Sequence, residues 1–310
     1  MRAFAFTGFG EAPAIIDAPL PEPIEGEVRV HVHAASVNGF DLSVAKGQLE
    51  GMMEHRFPVV LGKDFAGTID ALGAGVTGYQ VGDRVFGVVA KPHLRDGSFG
   101  EYVTVPVEVG IAKLPEGVDF IEGAGLGLAG TAAADAFDAA GIGQGTTVLV
   151  AGATGGVGQQ ALQLAVAAGA RVIATASSDE EKELVTRLGA TATVDYKADV
   201  AGQVLGSHPD GVDVALGFAG DPSRLVPAVK QGGRLLSTLI MSPEDILAEG
   251  VQVVAIFANP SPATLERLAK NQAGKHTAVT VQRAYRLEEA PKAFEDFAAG
   301  TLGKLVITIS

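Results

Sequence analysis

Residues 152–158, Gly-Ala-Thr-Gly-Gly-Val-Gly, carry the most specific chemistry in the chain. Set against the pattern G-x-G-x-x-G, Ala153 stands at the first glycine, Gly155 at the second and Gly158 at the third. A bare backbone at Gly155 lets a pyrophosphate approach, and a side chain there would collide with it. Gly158 lets the next helix pack closely on the preceding strand. Gly152, Thr154, Gly156 and Val157 complete the turn, and the helix that opens there offers free N–H donors and a positive dipole end to phosphates. The chemistry implied is dinucleotide binding.

A second set of polar groups follows. A fold that binds NAD usually carries Asp or Glu at the end of its second strand for the ribose hydroxyls. RVIATASS (171–178) has none there. Ser177 and Ser178 offer hydroxyls, Lys182 follows within one helical turn, and Tyr196 in VDYK is placed to cover the adenosine ribose. Serines and a lysine suit a 2′-phosphate, so NADPH is the expected cofactor, although Asp179 and Glu180 weaken the positive field.

The elements that must position these groups are legible in the spacing. Val148–Val150 read as a strand, and Val157, Ala161, Leu164, Ala165 and Ala168 recur at helical spacing up to a stop at Gly169. From about Ile121 onward, Ala/Gly-rich helices alternate with short apolar runs: VLVAG, RVIATA, TATVDY, VDVALGF, GRLLSTL and VQVVAIF. That alternation predicts βαβ units on a parallel sheet. The first third instead shows alternating runs such as EVRVHVHAAS, FAGTIDALG and EYVTVPV between Gly, Pro and Asp turns, which predicts a compact β-rich domain. The tail after residue 275 returns to strand, helix and strand and is assigned back to that first domain. The expected division is therefore 1–121 with 276–310, and 122–275.

Composition narrows the class. The 310 residues are 47% hydrophobic and 19% charged, as folded cores require. A formal charge of -13 argues against a general nucleic-acid binder. No cysteine is present, which excludes disulfides, thiolate metal sites and cysteine nucleophiles. The N-terminal residues lack the basic start and apolar run of a signal peptide, and no later apolar run reaches membrane-spanning length, so a cytoplasmic location is expected.

Several segments together resemble the medium-chain dehydrogenase/reductase superfamily, and within it the zinc-independent quinone oxidoreductases. They are SVNGFD (36–41), FPVVLGKDFAGTI (57–69), GVTGYQVGDRVFG (75–87), GSFGEYVTVP (97–106), AGTAAADAF (129–137), the glycine turn and a terminal GKLVI. The resemblance runs end to end. It implies an α/β fold with a GroES-like β-rich catalytic domain built from both chain ends, an inserted Rossmann-type doubly wound domain, and a cofactor in the cleft between them.

Departures from the pattern bear on the chemistry. Zinc-dependent relatives carry a cysteine where this chain resembles them at Asn38, and a His-Glu pair where it has Lys63-Asp64; their structural zinc loop is missing as well. His31 and His33 alternate on one strand without a third ligand in view and are expected to be strand residues, so no metal is expected. Without a Lewis acid, a simple ketone loses stabilisation of its developing alkoxide worth several kcal/mol. A quinone or enone delocalises that charge, so hydrogen-bond donors can suffice.

The candidate catalytic residues are Asn38, whose amide is expected near the nicotinamide as a donor to substrate oxygen, Asp41 as donor partner or loop brace, and Lys63. For Lys63 the favoured expectation is a structural pair with an acid, the alternative a donor to the carbonyl. The resemblance places Thr131 at the nicotinamide end. It adds Phe218 and Ala219, Leu239 and Ile240, and Phe257 and Ala258 at the carboxyl edge of the sheet, with Lys304 in GKLVI. Some related reductases have a tyrosine two residues after the glycine matched by Gly47; here that residue is Leu49.

The leading functional expectation is an NADPH-dependent reductase of quinones or α,β-unsaturated carbonyls. An enoyl-thioester reductase is the enzymatic alternative and needs a basic entrance, for which KGQ (46–48) and MEHRFP (53–58) are the candidate segments. An NADPH-binding sensor or stress protein with weak catalysis is the alternative of another class. The apolar run VQVVAIF (251–257) is expected at an exposed sheet edge, where it would pair two copies into a homodimer.

Overall fold

The long strand Glu27–Ser36 organises the first of two compact units. Its residues alternate as a strand's period of two demands: Val28, Val30, Val32 and Ala34 are fully buried, while Arg29, His31 and His33 are half-buried on the other face. Asp64–Leu72, Tyr102–Pro106 and Lys304–Thr308 all pair with it antiparallel, so the chain's last strand is stitched to its first third. The resulting seven-stranded sheet ends on Ile111–Lys113 and Val281–Arg286. A smaller sheet of Ala14–Asp17, Arg2–Phe6 and Val59–Val60 joins it around a core that includes Phe4, Phe65, Phe99, Ile111 and Leu305.

The computed structural model describes residues 1–309. Its first unit comprises 1–131, 260–275 and 279–310, and the second 132–259 with 276–278. The units thus divide the chain about ten residues after, and fifteen before, the limits expected from texture. One reason lies in the helix Phe120–Ala140, whose early glycines let its backbone sit directly on the first unit. A Cβ at Gly127 would lie 2.5 Å from Asp64 Oδ1 and 2.6 Å from the Gly87 carbonyl. The other is the helix Pro262–Ala273, which is tied to this unit by a 2.8 Å bond from Gly110 N–H to the Pro260 carbonyl.

In the second unit six parallel strands lie in the order Ala192–Val194, Arg171–Thr175, Thr147–Ala151, Val212–Gly217, Val229–Ser237, Gln252–Ala255. This is the doubly wound arrangement expected from the alternating runs, with its strand order reversing beside Thr147–Ala151. Val148, Leu149 and Val150 are fully buried, as a strand covered on both faces must be. Two apolar runs make shorter strands than their texture suggests: TATVDY reduces to three residues, leaving Tyr196 in the turn beyond, and VQVVAIF to four. Among the described residues Gln252–Ala255 has one neighbouring strand and forms an edge. Among the described residues no helix is long and apolar enough to cross a membrane.

Candidate functional site

The glycine turn leaves the carboxyl end of Thr147–Ala151 at the point where the strand order reverses. Its three bare positions differ in cause. Gly152 has φ of +76°, and a Cβ there would lie 2.8 Å from the Ala219 Cβ; its N–H donates to Thr175 Oγ1 at 3.0 Å. A Cβ at Gly158 would lie 2.1 Å from the Gly152 carbonyl oxygen, so the helix Gly156–Ala167 can seat only with glycine there. Gly155 is under neither constraint. Its φ of -79° and ψ of 169° suit any residue, and an added Cβ would meet only the Gly152 oxygen at 3.5 Å.

Gly155 is also the helix N-cap and supplies no side-chain acceptor, which leaves first-turn N–H donors facing the bare cradle. Gln159 Nε2 holds the turn from behind through the Thr154 carbonyl at 2.7 Å. Gly156 lies in the first turn and Val157 packs on the unit's core. A cradle open at Gly155 and closed at Gly158 fits the phosphates of a dinucleotide. Along the same sheet edge, Phe218 N–H bonds to the Ala151 carbonyl, Leu239 and Phe257 are exposed, and Ala258 follows. Ile240 departs from expectation: its side chain is buried in the unit's core.

Ser177, Ser178 and Tyr196 do converge, and what they converge on is Glu181. Its carboxylate accepts from Ser177 N at 2.5 Å, Ser178 N at 3.1 Å and Tyr196 Oη at 3.0 Å, while Ser178 Oγ accepts from Glu181 N. Burial alone would raise the pKa of Glu181, but these donors, with Lys197 nearby, hold it below the usual carboxylate range. Lys182 lies 3.7 Å from Asp179 rather than within this set. Glu181 was missed as a site residue although its signal is local: Ser178-x-x-Glu181 is a capping-box pattern.

The first unit holds a buried polar cluster. Asp64, fully buried, accepts from Ser36 Oγ (2.5 Å) and Asn38 Nδ2 (2.8 Å) at one oxygen and from Leu128 N (2.6 Å) at the other. Lys304 Nζ donates to Asn38 Oδ1 (2.7 Å) and the Val37 carbonyl (3.2 Å), and pairs with Asp64 at 3.5 Å. Asp41 accepts from Asn38 N at 2.8 Å. Burial is the main influence on its carboxyl and raises the pKa to about 7, against the lowering effect of that hydrogen bond. Burial likewise pushes Lys304 down, opposed by Asp64 and Asp41. Thr131 is fully buried with a hydroxyl that has no partner among the described residues, an orphan that suits a ligand contact.

This geometry revises three expectations. Asn38 does not hold its amide free for a substrate: Nδ2 is spent on Asp64 and, at 3.2 Å, on the Ser36 carbonyl, and Oδ1 on Lys304. Lys304 is turned inward, so it ties the last strand to the cluster. Among the described residues Lys63 has no carboxylate within 4 Å; its Nζ donates to the Val89 carbonyl at 2.7 Å and lies 4.8 Å from the centroid of the Phe40 ring. Asp64 leads the cluster and was not singled out from sequence, though a charged residue at an inward strand position signals a buried partner. His31 and His33 meet edge to face, His31 lies tilted against Tyr102 and His33 stacks on Phe120, and among the described residues no group of three or more metal-ligating side chains assembles.

Comparison with known proteins agrees with the architecture. Residues 24–116 match the alcohol dehydrogenase GroES-like domain and residues 156–244 the zinc-binding dehydrogenase family. A quinone oxidoreductase of Rattus norvegicus is 30% identical over 328 aligned positions that cover 100% of this chain and 97% of the relative. A 2-methylene-furan-3-one reductase of Solanum lycopersicum is 31% identical over 244 positions, covering 76% of this chain and 61% of that protein. Among solved structures, a mycobacterial protein complexed with NADPH superposes with a TM-score of 0.88 at 27% identity, covering 99% of this chain and 100% of that one. With an open dinucleotide cradle on a doubly wound sheet and a GroES-like unit beside it in sequence, the chain belongs to the medium-chain dehydrogenase/reductase superfamily, in its quinone oxidoreductase-like family of nicotinamide-dinucleotide-dependent oxidoreductases.

Proposed function

We propose that the protein is an NADPH-dependent, metal-independent reductase of quinones or α,β-unsaturated carbonyls. The observation that carries this reading is the chemistry at the positions where the superfamily's zinc-dependent members hold their metal. One is Asn38, hydrogen-bonded on every amide group, and the other is Lys63, a cation that repels a metal ion. With no metal to stabilise an alkoxide, the acceptor must spread the charge delivered with the hydride over a conjugated system. Steady-state NADPH oxidation against quinones, enones, enoyl thioesters and saturated ketones tests it. Turnover confined to enoyl thioesters, or no turnover of any conjugated acceptor, would refute the proposal.

The bound dinucleotide supplies the hydride, and this chain's part is to hold it. The cradle at Gly155 and the first-turn N–H groups take the phosphates. For the 2′-phosphate the donors are Ser177 N, Ser178 N and Tyr196 Oη, with Lys182 adding charge; all but the last are engaged by Glu181. NADPH binding therefore displaces one anion by another. Two substitutions check this by cofactor fluorescence: Lys182→Ala is expected to weaken NADPH about tenfold without touching NADH, and Glu181→Gln to tighten NADPH selectively. Equal affinity of the native protein for the two cofactors, unchanged in both variants, is the result that rejects the assignment.

A homodimer is the proposed assembly, supported by the single-neighbour edge strand Gln252–Ala255 and the exposed Met241, Leu247 and Phe257 near its ends in sequence. Sedimentation at micromolar concentration is expected to give twice the chain mass of 31.6 kDa, and a monomer alone would contradict it.

A further inference from the structure

Strand periodicity places Arg29, His31 and His33 on one face of Glu27–Ser36, and the neighbouring strands of the first unit complete a row of rings there. Tyr102 is the cross-strand partner of His31 on one side and Thr68 on the other, with Arg84 paired to Thr68 beyond. Tyr102, His31, His33 and Phe120 follow in contact, their ring centroids 4.9, 4.8 and 4.5 Å apart. A guanidinium closes each end: Arg29 lies 5.6 Å from the Tyr102 ring and Arg84 4.7 Å from the Phe120 ring. Arg29 is neutralised by Asp70 and Glu22, whereas Arg84 donates to the carbonyls of Pro115 (3.3 Å) and Val118 (2.6 Å).

Phe120 is the ring on which the row depends for its effect. It is the first residue of the helix Phe120–Ala140, and it meets both the His33 ring, stacked at 26°, and the Arg84 guanidinium. The helix start is held besides by Asp119, whose Oδ1 accepts from Glu122 N at 2.7 Å and whose carbonyl accepts from Gly123 N at 2.9 Å. Further along, the same helix gives Leu128 N–H to Asp64.

The charges around His33 favour its neutral ring. Its own strand brings His31 and Arg29, and Arg84 comes from the strand Arg84–Val88. Thr68 Oγ1, a neutral group, lies 3.2 Å from Nε2, and the last strand reaches only the His33 carbonyl, through Ile309 N–H. The carboxylates of the packed elements have other partners: Asp70 is held by Arg29, while Asp119 and Glu122 accept each other's backbone N–H. Burial first, then His31 and Arg84, hold the pKa of His33 below the ordinary imidazole value of 6.5. A group depressed in this way contributes its full stabilisation above 6.5 and loses it as pH falls through the lowered value.

We propose that the His31–His33 pair is an acid-sensitive latch on the start of the helix Phe120–Ala140. With both rings neutral the row stays stacked, and Phe120 stays seated against His33. A proton on His33 makes a half-buried cation that shares the Phe120 ring with Arg84, and the imidazolium regains its hydration only by leaving that ring. The first helical turn then opens. Through Leu128 N–H the loosened helix acts on Asp64, so acid reaches the buried cluster without protonating it.

Native-state hydrogen exchange tests the latch, corrected for the intrinsic pH dependence of exchange, with the amides of Thr147–Ala151 in the second unit as the reference for global opening. Between about pH 7.5 and about pH 5.5 the native protein is expected to lose protection about tenfold at Glu122 and Gly123 and to keep it in Thr147–Ala151. His33→Phe places on Phe120 a ring that cannot charge, and should hold protection at both pH values. His33→Lys carries its charge permanently, and should show the acid pattern already at about pH 7.5. Unchanged protection at Glu122 and Gly123 in the native protein overturns the proposal, as does an acid loss that persists in His33→Phe or a His33→Lys protein as protected as the native one. Equal loss in Thr147–Ala151 also overturns it, because the opening is then global rather than at the latch.

Discussion

Gly158→Ala is expected to destabilise the protein by about 3 kcal/mol or more, while the same one-methyl change at Gly155 leaves stability within about 0.5 kcal/mol. The added carbon at Gly158 would stand 2.1 Å from a backbone oxygen that has no rotamer by which to yield. At Gly155 the backbone already has a conformation open to any residue, and the nearest atom is at an ordinary 3.5 Å. Yet Gly155→Ala should lose the larger part of dinucleotide affinity, about a hundredfold, because its methyl occupies the space the pyrophosphate needs. Thermal denaturation separates the two variants, and cofactor fluorescence shows the opposite ranking for the one that folds. A Gly155→Ala protein that binds NADPH normally would mean that the phosphates lie elsewhere.

The second large effect is expected at Asp64. Asp64→Leu leaves the Lys304 ammonium, the Ser36 hydroxyl, the Asn38 amide and the Leu128 N–H without their shared acceptor, at a cost of about 3–5 kcal/mol. Replacing the charge as well should recover much of that cost, because a buried ion pair is often no more stable than apolar groups of similar size. The double variant Asp64→Leu/Lys304→Met is therefore expected to be more stable than Asp64→Leu alone by at least about 1 kcal/mol in denaturant melts. Strict additivity of the two changes would show that the pair does not act as one unit. Because Asp64 also holds the helix that carries Thr131, through Leu128 N–H three residues earlier, its loss should disturb ligand contacts too.

How legible each part was depends on how local its cause is. The glycine turn is a run of seven residues whose meaning depends on the strand before it and the helix after it, so its place and the close packing at Gly158 could be read directly. The alternating runs were equally readable as a parallel sheet, since each needs only its own periodicity. Lys304 and Asn38 are 266 residues apart, and nothing in either neighbourhood announces that one side chain closes on the other. For that reason Asn38 was expected as a free donor and is instead saturated. Lys63 was expected to pair with an acid, yet among the described residues its Nζ meets the Val89 carbonyl, 26 residues away, a contact that nothing in its own neighbourhood announces. Glu181 is the reverse case: its cause is local, since Ser178 and Glu181 form a capping box three residues apart, although the strand end itself carries no acid.

Reduction of conjugated carbonyls without a metal is tested most directly by comparing 2-cyclohexenone with cyclohexanone after exhaustive chelation, with metal content verified. NADPH-dependent turnover of the enone is expected to survive chelation in full and to exceed that of the ketone by about a hundredfold or more, since delocalisation replaces several kcal/mol of Lewis-acid stabilisation. Activity lost on chelation and restored by zinc, or a ketone reduced as fast as the enone, would contradict it.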